Sequence, residues 1–245
     1  MLLVSMIVID LFFPFPWYYF LTIVILYISF LVFGAIKIKA NFFTKSINKI
    51  NTNKKQIALT FDDAPVDGKT NIVLDILKAN NIEAAFFCIG NRAENIPDLI
   101  KRMHNENHII GNHSYSHHFF FDLKSAKVMQ AELAKTDEIV EQIIGKKMRF
   151  FRPPYGVTNP NLAKAIKAGN YHSIGWSLRS MDTIAKTEQK LLLNITNNLK
   201  SGDIVLLHDS VDITIQSLQK IIDAINAKGF EMVRLDKLLN LEAYA

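Results

Sequence analysis

Apolar and polar residues recur along this chain with two periods in turn, first that of a strand and then that of a helix. Ile57, Leu59 and Phe61 fall on every second residue, and Ile72, Val73, Ile76 and Leu77 then recur at helical spacing. An apolar run at 84–89 predicts a buried strand. The pattern over 124–144 predicts a long helix with Ala126, Met129, Leu133, Val140 and Ile144 inward, stopped by Gly145, a residue favoured just past a helix end. A strand near 148–151 and a helix opened by Asn159-Pro160 and closed by Gly169 follow. Further strands are predicted near 171–177, 203–208 and 231–235, with helices near 187–200 and 213–228 between them. Such alternation predicts a parallel sheet with helical crossovers, either open and doubly wound or closed as a barrel. Periodicity does not choose between the two.

The N-terminus follows neither period. Trp17 to Ile36 is a stretch of 20 residues without a charge, the length a helix needs to cross a bilayer, with Trp17, Tyr18 and Tyr19 suited to the interface. No small-residue cleavage site follows, so the stretch reads as an anchor. Upstream, Leu2 to Phe13 is apolar but holds Asp10 and ends at Pro14-Phe15-Pro16; it is too short to span and suits a re-entrant or interfacial piece. The expected organisation is a membrane anchor over 1–36, a polar linker over 37–55 and one folded domain over 56–245. Lys37, Lys39, Lys45, Lys49, Lys54 and Lys55 follow the anchor, a bias that argues for a cytoplasmic domain. The expected location is the cell membrane, with the domain outside despite that bias.

Composition narrows the picture. The chain has 245 residues, 49% of them apolar, with a net charge of +5, enough for one sizeable core. Its lysines are scattered, and no arginine-rich or basic-aromatic block calls for nucleic acid. The lone cysteine, Cys88, sits in the apolar run and reads as a core residue.

Four polar clusters follow predicted strands: Asp62-Asp63, His113-Ser114-Tyr115-Ser116-His117, Arg152-Pro153-Pro154-Tyr155 and His208-Asp209. Ligands of α/β folds collect at the carboxyl ends of the strands. Histidines four apart share one side of a helical turn, and a carboxylate from another strand would complete a three-ligand metal site with an open position. Consecutive side chains leave a strand in opposite directions, so one aspartate can ligate while the other serves as a base. His104, His108, His118 and His172 read as surface or loop residues.

Thr60-Phe61-Asp62-Asp63, the His113–His117 segment, Arg152-Pro153-Pro154-Tyr155 and Leu206-Leu207-His208-Asp209 resemble, in order, four of the five signature motifs of the NodB-homology polysaccharide deacetylases, carbohydrate esterase family 4. The resemblance covers about residues 55–240. It implies a distorted (β/α) barrel, one divalent metal ion, in the family often zinc, and hydrolysis of an acetyl group from an amino-sugar polymer such as peptidoglycan or a chitin-like glycan. Asp63, His113 and His117 match the metal ligands, Asp62 the catalytic base, Arg152 the arginine that orients and tunes it, and His208 the general acid. Tyr155 matches the backbone donor to the oxyanion and Leu206 the wall of the acetyl pocket.

Two positions depart from the pattern. Ala64 stands where the family often has glycine. Where the remaining motif usually reads Asp-x-x-Asp-Trp, this chain has Arg179-Ser180-Met181-Asp182-Thr183, so the aspartate that orients the acid histidine is replaced by Arg179. Asp182 can serve in its place, and Arg179 can meet an anionic substrate group. Two other functions stay open: deformylation or deacetylation of a lipid-linked amino sugar at the membrane, and glycan binding without catalysis. The expected partners are an N-acetylated glycan and the membrane, with no nucleic acid; the oligomeric state is not specified.

Overall fold

A computed structural model describes residues 16–245 of the chain. The Leu2–Phe13 segment, expected to be re-entrant or interfacial, lies outside the described residues. Strand β1 is Ser46–Ile47, β2 Gln56–Ala64, β3 Ala85–Cys88, β4 Ile109–Asn112, β5 Phe150–Phe151, β6 His172–Ile174, β7 Leu178–Arg179, β8 Ile204–His208 and β9 Glu231–Met232. The sheet order is β1-β6-β5-β4-β3-β2-β8-β7, with β9 beside the start of β2, and every strand pair is parallel. This is an incompletely closed (β/α) barrel, so the barrel alternative is the one realised.

Alternation along β2 sorts two apolar layers. Ile57, Leu59 and Phe61 face the outer helices, packing in one cluster with Val73, Leu74 and Leu77 of helix α2 (Thr70–Ala79) and Leu218, Ile221 and Ile222 of helix α8 (Asp212–Ala227). Phe61 and Phe86 stack at 5.1 Å between centroids. Ala58 faces inward with Ala85, Phe87 and Ile204, where helix α9 (Leu235–Leu239) adds Leu235, Leu238 and Leu239. That short helix occupies the end of the segment expected to be strand 231–235 and plugs the barrel interior below the site. Each large side chain so buried contributes about 1.5–3 kcal/mol.

The remaining helices are α1 (Trp17–Ile36), α3 (Gly90–Asn95), α4 (Pro97–Asn105), α5 (Ala126–Ile144), α6 (Pro160–Ala168) and α7 (Glu188–Thr196). The hydroxyl of Ser125 caps α5, which ends at Gly145 in the left-handed region, and Asn159 caps α6 ahead of Pro160. The stretch expected as a strand over 171–177 holds only the short β6, followed by a turn at Gly175-Trp176-Ser177 that leads into β7. The expected linker is in part built into the domain. Ile38 and Ser46 are buried, β1 pairs with β6, and Lys49 meets Asp203 at 3.2 Å. Helix α1 is 20 residues long, apolar enough to cross a membrane, and largely uncovered by the domain.

Candidate active site

β2 delivers both aspartates, and not in the opposed directions that plain alternation predicts. Its register against β3 shifts between Asp62 and Ala64, and Asp63 adopts a φ of 70°. Asp is among the residues that tolerate this left-handed conformation. The kink keeps both carboxylates on one side: Asp62 Oδ2 lies 3.9 Å and Asp63 Oδ1 3.8 Å from His113 Nε2. Ala64 itself is a buried strand residue in the core, so its methyl group is absorbed in packing.

The two histidines come together without the helical turn their spacing suggests. The segment is a loop after β4, bent by positive φ at Ser114 (65°) and His117 (45°), and their rings lie 4.8 Å apart. Glu132 of α5 pins it by accepting from the Ser116 N–H at 2.9 Å and from its hydroxyl at 2.8 Å. His113 Nδ1 lies 2.8 Å from the Arg152 carbonyl, which can only accept, so Nδ1 carries the proton and Nε2 turns a lone pair to Asp63. His117 Nε2 is 3.6 Å from Asp63 Oδ1. Burial first, and the neighbouring His113 second, lower the His117 pKa to about 4, so that ring is a neutral donor at pH 7.

Asp63, His113 and His117 thus place three ligand atoms within 4.8 Å of one another. Two imidazoles and a carboxylate are a zinc-type set, and bonds of about 2.0–2.1 Å in a tetrahedral array set such atoms roughly 3.3 Å apart. Asp63 Oδ1 stands within a few tenths of an ångström of that spacing from both imidazole nitrogens, at 3.8 and 3.6 Å, so the residues fit a divalent cation.

Arg152 follows β5 and is fully buried. Its Nη1 donates to Asp62 Oδ1 at 2.7 Å and to the Thr60 hydroxyl at 2.8 Å; Nε and Nη2 reach the carbonyls of Ile174 and Gly175 at 3.2 and 2.9 Å. The guanidinium lies 4.1 Å above the Phe87 ring. A buried cation is tolerated when its donors are filled and a counter-charge is near, and both conditions hold. One oxygen of Asp62 is thereby locked and the other left towards His113.

His208 ends β8 opposite Asp62. Its Nδ1 and backbone N–H both bond Asp182, which also takes the Thr214 hydroxyl at 2.8 Å. Burial alone would lower the His208 pKa; the hydrogen bond and charge of Asp182, with the charges of Asp62 and Asp63, raise it instead. Asp209, next in sequence, is fully buried against the Thr70 hydroxyl and does not line the cavity.

Asp62, Asp63, His113, His117, Leu206 and His208 open onto one cavity of about 190 Å3, with Tyr155 and Arg179 at its exposed edge. Arg152 lies behind Asp62 and Asp182 behind His208. Trp176, Gly156 and Thr60 also build the site, and sequence reasoning missed them. The Gly156 position is the most constrained: φ is 70°, and a Cβ there would stand 2.4 Å from the Trp176 ring. The pairing of glycine with a tryptophan twenty residues later has no local signal. His108, expected at the surface, is buried and accepts the Ala84 N–H at 3.0 Å; it lines a different, larger groove of about 520 Å3 near the start of β9.

The profile of the polysaccharide deacetylase family matches residues 49–174. A peptidoglycan-N-acetylglucosamine deacetylase of Bacillus cereus is 35% identical over 194 residues, spanning 76% of this chain and 69% of that protein. The peptidoglycan-N-acetylmuramic acid deacetylase PdaA of Bacillus subtilis is 34% identical over 193 residues, spanning 77% and 73%. Among solved structures, the Bc1960 peptidoglycan N-acetylglucosamine deacetylase superimposes with a TM-score of 0.76 at 31% identity, covering 81% of this chain and 94% of that one.

Proposed function

Because this chain belongs to the polysaccharide deacetylase family, we propose that it hydrolyses the N-acetyl groups of an amino-sugar polymer, with peptidoglycan as the substrate. The observation that carries this reading is the convergence of Asp63, His113 and His117 beside a separate carboxylate, Asp62, and a separate histidine–carboxylate pair. Asp63, His113 and His117 would hold one divalent ion, and zinc suits their chemistry. When bound, such an ion supplies a Lewis acid for the amide carbonyl and makes water more acidic near neutral pH.

The protein's own groups do the rest. Asp62 is the base: Arg152 occupies Oδ1, and Oδ2 takes a proton from the water that attacks the acetyl carbon. The Tyr155 N–H, carried in a left-handed turn with φ of 58°, helps hold the oxyanion. Leu206 packs against the acetyl methyl group. As the C–N bond breaks, protonated His208 gives its Nε2 proton to the sugar nitrogen, and acetate and the free amine depart. Asp182 is a positioning residue that fixes Nδ1 and leaves Nε2 to the cavity. A module that only bound glycan would have no use for this charged pair.

Arg179 deepens the assignment. It is exposed at the cavity edge and meets no carboxylate among the described residues, so its planar fork is open to an anionic group on the sugar, as on a muramic acid residue. Helix α1 serves as the anchor, and the location of peptidoglycan puts the domain on the outer face despite the lysines that follow. Asp62→Ala tests the core of the proposal. Acetate release from peptidoglycan should be lost while metal content stays near wild type, and undiminished release would overturn the base assignment.

A further inference from the structure

The last turn of α1 is fastened to the loop that leaves the active site. The Ala35 carbonyl accepts the Thr158 N–H at 2.9 Å, two residues past Gly156. Lys39 Nζ donates to the Ser177 carbonyl at 2.6 Å, next to Trp176. Phe42 folds back on the helix, 5.0 Å from Phe30 and so close to Gly34 that a Cβ there would stand 2.6 Å from its ring. A free tether over 37–55 could lift the domain by roughly 60 Å at full extension. The packed segment removes that reach.

Beside this junction the site rim is apolar. Asn159, adjacent to Thr158, donates to the Asp122 carbonyl at 2.5 Å and so holds the loop that follows His117. That loop exposes Phe119 (70%), Phe120 (54%) and Leu123 (74%), and Phe119 lies 6.0 Å from Tyr155 at the cavity edge. Contiguous exposed aromatic and aliphatic groups mark a contact surface. What adjoins them here is the end of a helix that is apolar from Trp17 to Ile36, followed by the exposed cations Lys37 and Lys45. Aromatic residues with flanking lysines are the composition that settles at an anionic headgroup layer.

We propose that this rim is a membrane-contact surface: Phe119, Phe120 and Leu123 enter the headgroup region of the bilayer that α1 crosses, and the cavity opens at the lipid surface. The inference rests on reading α1 as an anchor. Its consequence is that the substrate is amino-sugar glycan held close to the membrane, as lipid-linked or newly made chains are, rather than mature outer wall.

The full chain, with Cys88→Ala, is reconstituted in phosphatidylcholine–phosphatidylglycerol vesicles and labelled with a fluorophore through Phe120→Cys or, at the far end of the barrel, Asn240→Cys. Lipid spin-labelled near the headgroup should quench position 120 several-fold more than position 240. Equal quenching in a chain that resists alkaline carbonate extraction overturns the proposal and leaves the anchor standing. Release by carbonate overturns both. Neither readout depends on the deacetylase reading. The Phe120→Ser, Leu123→Ser double variant should keep its rate on soluble N-acetylglucosamine oligomers and lose several-fold on a lipid-linked oligomer in vesicles. Equal effects on the two substrates, as contact with a protein or with soluble glycan would give, also overturn it.

Discussion

Asp182 grips His208 twice: its Oδ1 lies 2.9 Å from the ring Nδ1, and its Oδ2 accepts the backbone N–H of the same residue at 2.7 Å. One carboxylate therefore sets both the ring's orientation and the position of the strand end that carries it. Burial works to raise the Asp182 pKa, but the bonds from His208 and Thr214 hold it below the usual carboxylate range. Each partner thus favours the charged form of the other.

The acid role of His208 needs the proton on the ring, so activity should decline as pH rises through its raised pKa. In Asp182→Asn burial is opposed only by the charges of Asp62 and Asp63, and the declining limb should move to lower pH. General acid catalysis contributes typically 10²–10⁴-fold, and kcat should fall by about 10²-fold or more. Profiles of kcat against pH for the wild type and the variant decide it. A fall in kcat with an unmoved alkaline limb would assign Asp182 a merely structural part.

Arg152 makes its contacts with a planar fork spread over Thr60, Asp62 and two carbonyls. A lysine supplies the charge without that geometry, so Arg152→Lys should lose at least 10-fold in acetate release and some stability. Arg152→Met removes one partner of a buried pair, a change that costs about 3–5 kcal/mol. Urea titration should place it well below the lysine variant, and equal midpoints would contradict the assignment.

Much of this site was legible in the sequence because its residues lie at strand ends in short, distinctive strings. Asp62-Asp63, the His113–His117 pair, Arg152 and His208 each follow an apolar run, and runs of that kind are what periodicity detects. What was illegible depends on contacts between distant segments. The turn of Asp63 back towards the rim comes from a register shift against β3, which no local pattern records. The same holds for Arg152 reaching the carbonyls of Ile174 and Gly175, for Thr214 bracing Asp182, and for helix α9, whose five residues are too few to show a helical period. The segment 37–55 looked like a linker because its polar residues dominate, while the few that dock it, Ile38 and Ser46 among them, are single buried positions.

Metal removal should be visible without substrate. A cation that binds only the folded chain stabilises it by about 2.7 kcal/mol at a hundred times its Kd. Chelation of the purified protein should therefore lower its Tm by several degrees, and added zinc should restore it. Asp63→Asn, His113→Ala and His117→Ala should each abolish the response, whereas His118→Ala, altering an exposed histidine next to the set, should keep it. A zinc-dependent Tm shift that survives in Asp63→Asn would move the ion elsewhere.

Arg179 offers the sharpest test of substrate. It stands on β7 at the cavity edge, free of any carboxylate partner among the described residues, where the family pattern has an acidic residue. If its guanidinium meets the carboxylate of a muramic acid unit, Arg179→Gln forfeits a charge-assisted bond of about 1.5–3 kcal/mol, equivalent to roughly 10–100-fold. That loss should appear in kcat/KM for muramic-acid-containing glycan and leave N-acetylglucosamine oligomers within about two-fold, since a neutral sugar offers the fork no ionic partner. Parallel acetate-release kinetics on the two substrates measure it. Equal losses on both would make Arg179 a general feature of the rim, and no loss on either would return it to the solvent.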